Sequence, residues 1–547
     1  MKGMDHMHFE ELLRKKKYED IWEEYCGFLD LSIQEYMHIQ YRLLEEQMLN
    51  WLVSPLGQSI MQGKNLKNIQ DFRYLVPLTT YEDYADILLN RKEEDLPGKP
   101  VTWIETTWEA GRHPVKCAPY TQEMLQVFKN NMMACLILAG SETRNDVVLR
   151  PHDKALYGVA SLPYATGLLP VLVEEELTLD ILPPVEQAEK LGFKERNVLG
   201  FKMGVKQGID IFFALSSVAY YVSMAFSSLQ SQTSSSSSHS SGKIKPKMAY
   251  RLLKGSYQAK KENRSMLPKD VFQMKCFLCA GTDSQMYKPV LEKLWGKRPH
   301  EIFAGTEPTC IASENWSRNG MYFFPDACFY EFMPIEEAKH FSKDHTYQPR
   351  TYLMDEVIPH EEYELVVTVF KGGAFARYMT KDRYRCIATH DSEDHIQLPR
   401  FTYVDRSLDI IDIAGFTRIS EKTIEDVIKM SKLDIIEWVA LKEYDDFRPY
   451  MHLIIEMSES SICQDAVLKK ILKEHLQIYF TYFDSDYEDL QTMLGIDPLK
   501  ITVVRCHTFH LYHQLHNEKL PKMNPSKHHI QDLLALSQAK RGEASCI

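Results

Sequence analysis

The sequence predicts an α/β protein with a large N-terminal domain of mixed β-sheets and helices and a small α+β C-terminal domain. Three observations predict it. Strand-like apolar runs recur with helical segments between them, the pattern of α/β layers around a largely parallel sheet. The 547 residues exceed what one hydrophobic core usually holds. Near Tyr403–Asp409 the chain changes character, so residues 1–402 read as the large domain and 403–547 as the small one.

In chain order, residues 8–55 place apolar positions at helical spacing, most clearly in LLRKKKYEDIWEEY and YMHIQYRLLEEQMLNWL. Ile69–Leu89 reads as a short strand, a proline turn and a helix. Further strands are expected at Thr102–Ile104, Asp146–Leu149, Met274–Leu278, Tyr363–Phe370 and Ile501–Val504. The apolar run Ile209–Leu229 approaches membrane-spanning length, but it carries Asp210 and five serines and reads as a buried helix. Ten of the fifteen residues from Ser227 to Ser241 are serine, so 227–247 is expected to be a loop, followed by a helix in the basic stretch KIKPKMAYRLLKGSYQAKKENR. Beyond the boundary come a helix (Glu421–Met430), two strands (Ile435–Leu441 and Tyr450–Glu456) and a helix (Asp465–Tyr479), then the strand at Ile501.

Hydrophobic residues at 44% and charged residues at 26% are globular values, and a net charge of -12 without a long basic run argues against wrapping nucleic acid. Eleven scattered cysteines read as a reduced, cytoplasmic protein. The first twenty residues show no apolar core of a secretory signal, and no membrane span is expected.

IFAGTE (Ile302–Glu307) is the most informative segment. A strand running into a small-small-hydroxyl-acid turn puts backbone amides and a carboxylate at a strand end, where α/β folds bind ligands. A carboxylate there suits magnesium shared with nucleotide phosphates; alone, the same residues also fit a plain turn. LCAGTD (Leu278–Asp283) precedes it. YELVVTVFKGGAFARYMTKD reads as a strand, a glycine turn and a second strand ending in Asp382, an acid that could accept ribose hydroxyls or simply cap a hairpin.

In this order and spacing the segments resemble the auxin-conjugating acyl-acid amido synthetases (the Gretchen Hagen family), a branch of the adenylate-forming superfamily. The resemblance runs from PLTTYEDY (Pro77–Tyr84) to the C-terminal region. Gly281, Thr282 and the helix YKPVLEKLWG resemble the approach to the family's second nucleotide motif, and AGTEP sits at that motif. RYMTKD resembles the ribose motif, keeping Arg377, Tyr378 and Asp382 but with Lys381 where the family has glycine. The resemblance implies an ATP-dependent ligase that adenylates a carboxylic acid and transfers the acyl group to an amine or amino acid. In it Glu307 would hold Mg2+, Asp382 the ribose, and Gly305, Thr306 and Tyr378 would line the ATP. Arg406 would begin the hinge of a C-terminal lid, and Lys527, in PKMNPSKHHIQDLL, would serve the adenylation step. A solvated loop lysine fits Lys527 equally.

The family's first motif is a Ser/Thr/Gly-rich phosphate loop ending in lysine. The matching TTWEAGRHPVK keeps Thr106, Thr107, Gly111 and Lys116 but places Trp108 and Glu109 where glycine and a hydroxyl residue are expected. An acid beside triphosphate costs Coulomb energy, and an indole blocks close backbone approach. Alternatives therefore stand beside the amide ligase: a catalytically impaired relative that binds a nucleotide, an acyl ligand or a protein, and an acyl-CoA ligase. His507, His510, His513 and His516 read as strand and loop histidines without a metal, and CFLC (Cys276–Cys279) as part of an apolar strand. SLPYATGLLP (Ser161–Pro170) resembles a loop near the family's acyl pocket.

Overall fold

The computed structural model describes residues 9–64, 66, 68–106, 115–160, 162–224, 226, 244–415, 417–459, 465–483 and 497–538. Thr107 and Gly111, with Trp108 and Glu109, lie outside the described residues, as does most of the serine-rich segment.

Segments rich in β-branched and aromatic residues form the strands, as their pleated, half-buried surfaces favour. In order these are β1 (Thr102–Glu105), β2 (Cys117–Tyr120), β3 (Asp153–Gly158), β4 (Leu179–Leu182), β5 (Ile211–Leu215), β6 (Cys276–Ala280), β7 (His300–Gly305), β8 (Thr309–Glu314) and β9 (Met321–Phe323). They continue with β10 (Cys328–Pro334), β11 (Glu362–Val369), β12 (Tyr378–Ala388), β13 (Arg400–Arg406), β14 (Ile410–Ile413), β15 (Thr417–Ser420), β16 (Ile435–Asp445), β17 (Arg448–Met457) and β18 (Leu499–Val504).

β3 to β13 share one eleven-stranded sheet, ordered β10-β11-β12-β13-β9-β8-β7-β6-β5-β3-β4. From β4 to β7 neighbouring strands are parallel. From β7 through β8 to β9 the pairing is antiparallel, as it is between β10, β11 and β12. The expectation of a largely parallel sheet thus holds for one half only. β5 (IFFAL) and β6 (CFLCA) are buried almost throughout, as a parallel strand covered on both faces must be. The helix Gln122–Gly140 packs on β6 and β8, and the helix Phe193–Gln207 packs on β3.

Four expectations are corrected. Ile209–Leu229 is not one helix: Ile211–Leu215 is β5, and a helix follows at Ser216–Met224. Continuous burial on both strand faces removes the periodicity that would have separated the two. Asp146–Leu149 buries Val147 and Leu149 but joins no ladder; the strand forms at β3 instead. Ile69–Leu75 is a helix capped by Asn68, whose Oδ1 accepts from the Asp71 amide at 2.9 Å. Of the histidine run, His510, His513 and His516 lie on the helix Thr508–His516, and His507 precedes it. No described helix is long and apolar enough to cross a membrane.

The chain forms two compact units, divided between Asp405 and Arg406. In the second, β16 and β17 make an antiparallel hairpin and β18 lies parallel to β17. Its core gathers Val439, Leu441, Ile454, Val504, Tyr512, Ile530 and Leu533.

Candidate active site

Thr106 and Lys116 close the β1–β2 hairpin: the Thr106 amide donates to the Lys116 carbonyl at 3.0 Å, next to the Glu105–Cys117 pair. The strand that begins after Lys116 also fixes the turn after β7, because the Tyr120 hydroxyl donates to the Thr306 carbonyl at 2.6 Å. Tyr120 is fully buried, which pushes its phenol far above the usual range and keeps it a neutral donor.

At the end of that turn, Glu307 meets two partners from distant sequence. The Tyr378 hydroxyl donates to Glu307 Oε1 at 2.8 Å, and Lys116 Nζ donates to the same hydroxyl oxygen at 3.2 Å. Lys116 Nζ lies 3.8 Å from Glu307 Oε1, with both side chains about one-seventh exposed. The ammonium also sits 5.1 Å from the Tyr81 ring centre, a cation–π contact that holds it over the site. Tyr81 is tied in place by the Cys117 amide, which donates to its hydroxyl at 2.7 Å. The cluster is a carboxylate, a phenol and an ammonium brought together from positions 307, 378 and 116.

Glu307 Oε2 makes no hydrogen bond among the described residues, and no described cluster of three His, Cys, Asp or Glu could hold a metal. A single hard carboxylate oxygen fits magnesium, which binds through one or two carboxylates and completes its shell with phosphate and water. The donor set fits a nucleotide-borne Mg2+ and not a metal held by protein alone.

Tyr378 owes its position to its neighbour. Arg377 is 3% exposed and has φ 43°. Its Nε and Nη2 reach Glu331 Oε2 and Oε1 at 2.9 and 2.8 Å, and its Nη1 donates to the carbonyls of Val76, at 2.6 Å, and Arg73. A buried guanidinium with its charge paired and its donors occupied has little freedom to move.

Asp382 lies four residues on, inside β12 and not at a strand end as the sequence suggested. Lys381 explains how an acid at mid-strand is presented: its φ is 64°, the left-handed region that favours glycine. Lysine thus holds a glycine-like conformation at the position where the resemblance has glycine. Asp382 is buried, and Tyr403 donates to its Oδ1 at 3.0 Å. The Tyr403 ring stacks on Phe303 of β7 with centres 5.5 Å apart, linking the aspartate to the strand that leads into the Glu307 turn.

Gly281 follows β6 with φ 113°, a conformation side chains rarely adopt, and leads through Thr282 into the helix Ser284–Trp295. Ser284 Oγ donates to the Gly281 carbonyl at 2.7 Å. The turn therefore joins a parallel strand's end to a helix N-terminus, and β6 pairs with β7, the strand that ends in Gly305 just before Thr306. Thr106, Lys116, Gly281, Thr282, Gly305, Thr306, Glu307, Tyr378 and Asp382 all belong to the first unit. Arg406 opens the second, and Lys527 is exposed there at the first position of the helix Lys527–Gln538. Tyr81, Tyr120 and Tyr403 escaped the sequence reading: a tyrosine in an apolar run carries no signal of which carboxylate or carbonyl its hydroxyl will reach. Near the loop 162–170 a mostly apolar pocket is lined by Tyr157, Leu162, Pro170, Ile181 and the buried Arg196, among others.

Residues 321–406, β9 through β13, match the family model described as GH3 family central domain. No curated protein matches the chain by sequence. Among solved structures the chain is similar to AtGH3.15 acyl acid amido synthetase in complex with 2,4-DB, at 16% identity over 98% of this chain and 97% of that one, with TM-score 0.51. It is also similar to 2-hydroxyisobutyryl-CoA ligase in complex with 2-HIB-AMP and CoA, at 15% identity over 87% of each chain, with TM-score 0.54. At these identities the likeness is one of fold.

Proposed function

We propose that this chain, which carries a GH3 family central domain on the fold of the adenylate-forming ligases, is an ATP-dependent ligase that joins a carboxylic acid to an amine or amino acid. The observation that supports it most directly is the meeting of Lys116, Tyr378 and Glu307, which gathers three separate nucleotide motifs of the resemblance at one point.

In the reaction, a carboxylate oxygen of the acid attacks the α-phosphorus of ATP and pyrophosphate leaves. The amine then attacks the acyl carbonyl of the adenylate, gives up a proton, and AMP leaves with the C–O bond electrons. Lys116 offsets negative charge gathering on the phosphates. Glu307, held by Tyr378, presents its open oxygen to a magnesium ion, which would neutralise phosphate charge when bound. Asp382 accepts the ribose hydroxyls, and the turns at Gly281–Thr282 and Gly305–Thr306 offer backbone amides. Thr107 and Gly111 would complete the phosphate loop. Arg406 would begin the hinge of a lid domain running from about residue 403, and Lys527 would serve adenylation from that lid. Nine described cysteines are free, eight of them buried, in keeping with a reducing cytoplasm.

A second reading, an impaired homologue that binds a nucleotide or acyl ligand, draws support from Trp108 and Glu109 in the phosphate loop. An acyl-CoA ligase would share the first half-reaction and differ in the acceptor. Pyrophosphate release from the full-length protein, measured with ATP, magnesium and a panel of carboxylic acids, tests the proposal. Acid-dependent release that Lys116→Ala abolishes is expected, with an amide product when amino acids are added. Tight AMP binding without release for any acid would favour the impaired homologue, and a thioester product with CoA the third reading.

A further inference from the structure

The helix Pro246–Lys261 turns an apolar stripe outward. Tyr250, Leu253 and Tyr257 are 66%, 74% and 70% exposed, although large hydrophobic side chains usually lie inside. Their spacing of i, i+3 and i+7 puts them on one side of the helix. The opposite side is anchored by Met248, Gly255 and Ala259, all buried, so the stripe is not a face awaiting the protein's own core. Ile244, just before the helix, adds a fourth exposed apolar side chain.

Charge sets this helix apart. Its sixteen residues contain Lys247, Arg251, Lys254, Lys260 and Lys261 and no acid, within a chain of net charge -12. Lys247, Lys254 and Lys261 recur every seven residues alongside the stripe, and all three are exposed. The nearest acids beyond its C-terminus are engaged: Glu262 and Asp270 both bind Arg264, at 2.6 Å each. The cations of the helix thus flank an apolar ridge with their charge uncompensated by the helix itself.

We propose that this helix is a peripheral docking surface for an anionic lipid bilayer. The charge complementarity names the partner: lysines meet acidic headgroups while Tyr250, Leu253 and Tyr257 enter the headgroup–acyl boundary, where tyrosine rings settle. A protruding ridge suits a bilayer, which yields around it, better than a folded protein partner, which would need a matching groove.

The test is co-sedimentation of the full-length protein with phosphatidylcholine vesicles, with and without phosphatidylserine. Binding at least tenfold stronger with phosphatidylserine, and weakened by high salt, is expected. Y250S/L253S/Y257S and K247E/K254E/K261E should each lower it tenfold or more while leaving pyrophosphate release and thermal unfolding unchanged, since no altered residue lies in the catalytic site. No preference for phosphatidylserine, or equal binding by both variants, overturns the proposal. So does a protein that prefers heparin to vesicles and keeps that preference in the serine variant, which would make the helix a polyanion site.

Discussion

The Tyr378 hydroxyl donates to Glu307 Oε1 across 2.8 Å and accepts from Lys116 Nζ at 3.2 Å, so one phenol bridges a carboxylate and an ammonium. Without it, the ammonium, already 3.8 Å away, is expected to close on the carboxylate. Tyr378→Phe is expected to slow pyrophosphate release about 10–100-fold, the usual scale for a residue that orients a metal ligand. Its chemical stability should change by less than about 1 kcal/mol, the order of one hydrogen bond. Unchanged turnover in Tyr378→Phe would remove the phenol from the mechanism.

Asp382 and Glu307 are assigned different ends of the nucleotide, and calorimetry separates them. Asp382→Ala should weaken ATP and AMP alike, by about 1–3 kcal/mol for lost charge-assisted bonds. Glu307→Ala should weaken magnesium-dependent ATP binding and leave AMP nearly untouched. Equal losses for both nucleotides in the Glu307 variant would strip it of its assigned role.

Lys381 holds φ 64° without being glycine, and its Nζ lies 4.0 Å from Glu364 Oε1. A side chain in the left-handed region costs about 1–2 kcal/mol, part of which glycine's greater freedom in the unfolded chain offsets. Lys381→Gly is therefore expected to stabilise the first unit by about 0.5–1 kcal/mol, read as a higher urea midpoint. A lower midpoint would show that the lysine contributes more than its backbone strain takes away.

His300 is fully buried, and burial drives its pKa well below the ordinary 6.5, with Arg318, Lys288 and Lys297 acting in the same direction. Its Nε2 pairs with Ser313 Oγ at 2.8 Å, whereas Nδ1 is buried without a partner. Below about pH 6.5 the unfolded chain takes up a proton that the folded histidine refuses, so this contribution is complete above that pH and is lost as the pH falls. Its slope is at most about 1.4 kcal/mol per pH unit. His300→Phe should flatten the fall of the urea midpoint between pH 6.5 and 5 relative to wild type. An identical slope in the variant would assign the fall to other groups.

Much of the architecture was legible because particular segments carry unambiguous patterns. IFAGTE gave β7 and its turn, and the stretch from Glu421 gave the helix, hairpin and helix of the second unit in the right order. The illegible parts share a physical cause. β5 hides in an apolar run because a strand buried on both faces has no period, and Asp382 looked terminal because a left-handed Lys381 cannot be read from a lysine. Glu307 and Asp382 stood out in the sequence by chemistry and order. That Tyr378 and Tyr403 supply the hydroxyls that reach them depends on sheet register, with a β-bulge between Glu364 and Val366 in the strand that pairs with β12.

β7 is parallel to β6 on one side and antiparallel to β8 on the other, and the candidate catalytic groups straddle that seam. The glycine turn after β6 comes from the parallel half, Tyr378 and Asp382 come from the antiparallel half, and Glu307 leaves the seam strand itself. Neither half carries a site alone. A fragment spanning only residues 321–406 would carry Asp382 and Tyr378 without Glu307 or Lys116. The cluster would be rebuilt only by adding a second fragment that supplies the β1–β2 hairpin with Lys116 and the seam strand that leads into Glu307.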